Sequence, residues 1–153
     1  MKLRQSPRLK DFDYAGPHVY NLTFVTRQRR PCFKSEEVVG ASLECLHHAC
    51  AKCHFKTLAC CFMPDHLHLL VATEIEASLT EFARLFKQLS GYRFKQSYRD
   101  HLWQISYYDR VVRREESIES IAAYIWGNPV RARLANDALD YRFSGPRDLM
   151  DDV

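Results

Sequence analysis

Met63-Pro64-Asp65-His66-Leu67-His68-Leu69-Leu70-Val71 reads as a turn that runs into a strand. Pro64 and Asp65 punctuate the entry. Successive strand side chains point to opposite faces. Leu67, Leu69 and Val71 therefore share one face, and His66 and His68 stand together on the other. Two imidazoles side by side on a rigid sheet are half of a preorganised metal site. They are also compatible with ordinary surface or core histidines, and nothing inside the stretch separates the two readings.

The flanks extend the pattern. Residues 55–63 form a strand, so the Pro64-Asp65 break implies a hairpin. Upstream, Ser35 is an N-cap with Glu36 and Glu37 in the first turn. Val39, Leu43, Leu46, Cys50 and Cys53 then recur at helical spacing, predicting a helix over 36–53. Before it lie a β-branched and aromatic strand, 18–26, and a basic turn at Arg27 to Pro31. Downstream, Ser78-Leu79-Thr80-Glu81 fits a capping box, opening a helix that runs to Ser97. Residues 103–112 read as a fourth strand, and a last helix spans 117–127, stopped by Pro129.

The order βαββαβ plus a helix is the α+β, ferredoxin-like plan of an antiparallel sheet with an additional C-terminal helix. Two helices would cover one sheet face and leave the other partly open. A single domain is expected: an arm over 1–17, a core over 18–130 and a polar, partly structured tail over 131–153.

Hydrophobic residues make up 46% of the 153 and charged residues 27%, which suits a globular chain rather than a disordered one. No apolar run reaches membrane-spanning length. The N-terminus lacks the apolar stretch of a signal peptide, so a cytoplasmic protein with six reduced cysteines is expected. Net charge is only +3, but residues 1–34 and 82–114 each carry eight Lys/Arg against two Asp. Basic segments with interspersed aromatics suit single-stranded nucleic acid, and equally an ordinary solvated surface. Cys50-Ala51-Lys52-Cys53-His54 spells a haem-attachment pattern, but it reads better as a helix end with buried thiols.

In the last helix Ile118, Ile121, Ala122 and Ile125 form an apolar stripe. Tyr124 and Asn128 stand four apart at its edge. A hard divalent cation accepts mixed imidazole and oxygen ligands. If this helix lay across the open face, His66, His68 and Asn128 could share one ion, with Tyr124 a turn away. Gly127 and Pro129 threaten the helix where that spacing matters. Without further information, a packing tyrosine and a helix-end asparagine are the simpler readings.

Met63 to Val71 resembles the HUH segment of single-tyrosine transposases. Tyr124-Ile125-Trp126-Gly127-Asn128-Pro129-Val130-Arg131-Ala132 resembles their tyrosine helix. Leu102-Trp103-Gln104, Thr23-Phe24-Val25-Thr26, Arg30-Pro31 and Phe33 also look like this group, and the resemblance covers residues 18–143. It is nearest to the REP-associated tyrosine transposases. The resemblance implies His66, His68 and Asn128 as ligands of Mg²⁺ or Mn²⁺ and Tyr124 as nucleophile. It further implies single-stranded DNA with hairpin or palindromic repeats as substrate, a 5′-phosphotyrosine intermediate, and either a monomer or a homodimer exchanging the tyrosine helix. One departure is Ile105-Ser106, where related proteins usually have Gly-Arg.

Arg84, Lys87, Arg93, Lys95, Arg110, Arg113, Arg114 and Arg131 are candidate phosphate contacts, and Trp103, Tyr107 and Tyr108 candidate base-stacking groups. Two other functions fit less well. One is a non-catalytic DNA-hairpin binder. The other is a metallohydrolase, for which Asp65 is the carboxylate nearest the His pair.

Overall fold

A computed structural model describes residues 18–73, 75–113 and 115–150. The expected arm over 1–17 and the candidate contact Arg114 lie outside the described residues. The first strand, β1, is Val19–Val25, followed by a 3-10 turn at Arg27–Arg29. Helix α1, Glu36–Cys53, leads into the hairpin of β2, Lys56–Met63, and β3, His66–Ala72. Helix α2 is Leu79–Tyr98, β4 Tyr108–Val111 and α3 Ile118–Trp126. The chain closes with α4, Asn128–Arg131, the two-residue strand β5, Ser144–Gly145, and α5, Arg147–Met150.

The five strands form one antiparallel sheet in the order β4-β1-β3-β2-β5. The first four follow the expected ferredoxin-like arrangement. Met63 pairs with His66, so Pro64 and Asp65 make a two-residue hairpin turn. That turn is tied to neighbouring segments. Thr26 donates to the Asp65 carbonyl through both its amide and its hydroxyl, at 3.0 Å each, and the Phe33 amide donates to the Pro64 carbonyl at 3.0 Å. Serine caps start the helices as read: Ser35 Oγ accepts from Val38 N at 3.3 Å and Ser78 Oγ from Glu81 N at 3.2 Å.

The two-residue period divides the sheet cleanly. Leu67, Leu69 and Val71 are fully buried with Tyr20, Leu22, Phe24 and Phe62 beneath α1 and α2. Burying one such side chain is worth about 1.5–3 kcal/mol, so this face supplies most of the drive to fold. On the opposite face Ala59, Cys61, Met63 and Leu70 pack against Ala122, Ile125 and Trp126 of α3. His66 and His68 alternate with the buried leucines and so belong to the α3 face.

Two expectations change. The fourth strand is short: only Tyr108–Val111 joins the ladder, and Trp103 makes a single bridge to Thr26. Lys87 Nζ takes the Gln104 and Ile105 carbonyls at 2.7 Å each, and Ile105 is left fully exposed. The last helix stops at Trp126, and Pro129 sits at the start of the separate turn α4. The tail, expected to be partly structured, carries a 3-10 turn at Ala138–Asp140 and returns to the sheet. Cys60 pairs with Gly145, the Trp126 indole donates to the Gly145 carbonyl at 2.9 Å, and the Tyr141 hydroxyl donates to the Phe62 carbonyl at 2.5 Å. Among the described residues no helix is long and apolar enough to cross a membrane.

Candidate active site

The two histidines meet through their ε nitrogens: His66 Nε2 and His68 Nε2 are 3.0 Å apart. Their δ nitrogens are both occupied. Asp65 Oδ1 lies 2.6 Å from His66 Nδ1, and Thr23 Oγ1 lies 3.4 Å from His68 Nδ1. An ionised carboxylate only accepts, so Asp65 selects the Nδ1–H tautomer of His66 and turns a lone pair toward His68. A cation between the rings would take that lone pair. Such outer partners commonly orient metal-binding imidazoles.

Electrostatics keep His68 neutral. Burial, then the positive fields of His66 and Arg131, push its imidazole down to about 4. Burial alone would push the Asp65 carboxyl up. The hydrogen bond and charge of His66, with Arg29 at 3.3 Å, more than offset this and hold it below its usual range. An ion held by both rings would need a lone pair on each ε nitrogen, which the tautomers with Nδ1–H directed at Asp65 and Thr23 supply.

Helix α3 brings Tyr124 to the same side of the sheet. Its N-cap is Ser117, whose Oγ accepts from Ser120 N at 3.1 Å. Ala122, Ile125 and Trp126 face the sheet, which leaves Tyr124 on the outer flank, 64% exposed. Asn128 begins α4, beyond the break at Gly127, and its Nδ2 donates to the Ile125 carbonyl at 3.0 Å. The amide nitrogen is therefore committed and the side-chain oxygen is left for a ligand. Among the described residues no group of three or more His, Cys, Asp or Glu is placed to hold an ion. A hard cation at the histidine pair would need oxygen ligands beside the two imidazoles, which an amide oxygen, solvent or substrate could supply.

The candidate DNA contacts separate into three kinds. Lys95 and Arg113 are exposed. Arg84, Arg93 and Arg110 are exposed but paired, with Glu81 at 3.1 Å, Glu44 at 2.6 Å and Glu116 at 2.6 Å. Trp103 and Lys87 are structural. Trp103 is buried among Phe24, Phe33 and Phe86, and its indole donates to Ser90 Oγ at 2.8 Å. Of Trp103, expected to stack on bases, 9% stays exposed. Lys87 spends its ammonium on two carbonyls. Tyr107 is half-buried against Phe24. Arg131, expected on DNA, lies instead against Tyr124, its guanidinium 3.7 Å from the ring centroid.

Two contacts of the site escaped the sequence reading. Thr23 was signalled only by register, since it pairs directly with His68 across β1 and β3. The Arg131 contact was signalled only by its spacing, two helical turns after Tyr124. The Cys-x-x-Cys-His segment is a helix end, as read. Cys50 is buried with its Sγ 3.5 Å from Thr57 Oγ1, and His54 is the exposed C-cap.

An antiparallel sheet with a converging histidine pair, beside a helix that displays a tyrosine, is a frame for DNA-processing transposases. The chain belongs to the IS200-like transposase family, whose model matches residues 16–128. It is 26% identical over 147 residues to a Haemophilus influenzae protein assigned as a REP-associated tyrosine transposase, covering 88% of this chain and 82% of that one. Its fold is similar to the structure of a REP-associated tyrosine transposase bound to a REP hairpin, with TM-score 0.77 and 17% identity over 93% of this chain and 82% of the other. It also resembles a crystal structure assigned as a Deinococcus radiodurans transposase, with TM-score 0.56 and 23% identity over 77% of this chain and 95% of that one. The resemblance carried by the two motifs is borne out.

Proposed function

We propose that this protein nicks and rejoins single-stranded DNA at hairpin-forming repeats, with Tyr124 as nucleophile. The observation that supports it most is the facing Nε2 atoms of His66 and His68 on the sheet face that α3 covers. The hairpin substrate follows the relative whose structure is bound to a REP hairpin. In the forward step the Tyr124 phenol oxygen bonds to phosphorus and the bond from phosphorus to the 3′ oxygen breaks. The phenol proton is released, and the 3′ oxygen leaves as a hydroxyl once protonated. The strand end stays on the protein as a 5′-phosphotyrosine, so a 3′-hydroxyl can reverse the step without an external energy source. A phenol needs positioning and proton removal to attack at neutral pH. Mg²⁺ or Mn²⁺ held by His66, His68 and the Asn128 oxygen would polarise the phosphoryl oxygen and offset its growing charge.

The test is covalent capture. Labelled single-stranded hairpins from the DNA flanking its own gene are mixed with the protein and Mn²⁺ and run on a denaturing gel. The label should comigrate with protein, require metal and disappear in Tyr124→Phe while hairpin binding persists. Cleavage that survives Tyr124→Phe overturns the mechanism in favour of metal-activated water. Binding without any adduct, across many flanking repeats and both metals, points to a non-catalytic hairpin binder.

A further inference from the structure

The Arg131 guanidinium makes two contacts with one residue. Its Cζ lies over the Tyr124 ring, 3.7 Å from the centroid, and it donates to the Tyr124 carbonyl at 2.5 Å. The helix break between them makes room for this. A Cβ on Gly127 would stand 2.7 Å from Arg131 Nη1, inside contact distance. Gly127 has φ −78 and ψ −8, which any residue can adopt, so it is space and not backbone conformation that calls for glycine there. An exposed tyrosine free to change rotamer would rarely present its oxygen in line with a phosphorus atom.

We propose that Arg131, seated in the notch left by Gly127, is a positioning residue that holds the Tyr124 ring in the rotamer used for attack, rather than a phosphate contact. This rests on Tyr124 being the nucleophile. Stacking of a cation on an exposed ring shifts a rotamer population by about two- to fivefold, and the carbonyl bond adds to it. Misplacement of a reacting group by about 1 Å costs up to about a hundredfold in rate. Lysine has no planar fork and cannot stack and reach the carbonyl together.

The experiment compares Arg131→Ala, Arg131→Lys and Gly127→Ala in the full chain. Single-turnover adduct formation is measured at saturating fluorescein-labelled hairpin with Mn²⁺, and hairpin Kd by anisotropy in EDTA. All three variants should lose about tenfold to a hundredfold in adduct rate, with Kd within about twofold for Arg131→Lys and Gly127→Ala. Gly127→Ala is the telling variant, because it displaces the guanidinium while keeping its charge. A Kd weakened tenfold with an unchanged saturating rate overturns the proposal and makes Arg131 a phosphate contact. So does a wild-type rate in Gly127→Ala. Fluorotyrosine labelling gives a readout that does not depend on turnover. The fluorine resonance lost in Tyr124→Phe should move in Arg131→Ala and Gly127→Ala, and a fixed resonance overturns the clamp. A wild-type protein that forms no adduct overturns the nucleophile reading itself. An active wild type with unaffected variants overturns only the positioning role.

Discussion

His66 and His68 show how far two side chains can be read before their surroundings are known. Their common face followed from the strand period alone. That their ε nitrogens converge did not, because it depends on Asp65 and Thr23 holding the δ nitrogens. Asp65→Asn keeps the shape of that group but removes the charge that fixes the His66 tautomer. The Mn²⁺ concentration giving half-maximal adduct should rise by about 10- to 100-fold, with metal-free hairpin binding unchanged. Titrating metal against adduct yield checks this. Trp103 teaches the opposite lesson. In the sequence it is an aromatic in a basic segment, but in the fold its indole satisfies Ser90 within the core. Trp103→Phe should cost about 1–3 kcal/mol of stability by denaturant unfolding and leave hairpin affinity within about twofold.

The elements were readable where local chemistry decides them. Ser35 and Ser78 cap α1 and α2 at the expected residues, and α1 covers the expected range. The elements that deviated are those set by distant partners. Residues 103–107 have the propensity of a strand, but Lys87, on another element, takes two of their carbonyls. Strand β5 is two residues long, too short for any period to announce it, and exists because β2 offers an edge. Helix α1 also ends at a cost. His54 caps it at φ 63, the left-handed region that disfavours side chains. His54→Gly should therefore raise stability by up to about 1 kcal/mol, seen as a higher denaturant midpoint with an unchanged slope. A lower midpoint would mean that the His54 side chain makes a contact worth more than the relief of strain.

The domain as a unit is held by a few side chains that bridge separate regions, and Lys87 has a titratable signature. Burial pushes its ammonium down to about 8 from 10.5. The folded chain thus binds fewer protons than the unfolded chain between those values. The penalty for keeping the charge is complete below about pH 8 and fades as pH rises toward 10.5. Stability of the wild type should accordingly rise with pH across that window relative to Lys87→Met. Unfolding curves for both proteins at pH 7.5 and about pH 10 decide it, and parallel behaviour would refute the assignment. The overall plan was recoverable because the hydrophobic periods specify four strands and three helices in order. The closing strap was not, because its polar sequence gains structure only from the surface it meets.

That strap has a consequence for synthesis. Strand β5 follows the other four described strands in the chain, and the carbonyl of Gly145 receives the Trp126 indole from the helix that displays Tyr124. Chains fold from the N-terminal side as they are made. The sheet, its leucine core and the histidine pair can therefore assemble while translation continues, but the tyrosine helix gains its final anchor only when residue 145 arrives. A nascent chain would carry the histidine pair before the helix that displays Tyr124 is anchored, and would complete that anchor only after residue 145 has been made.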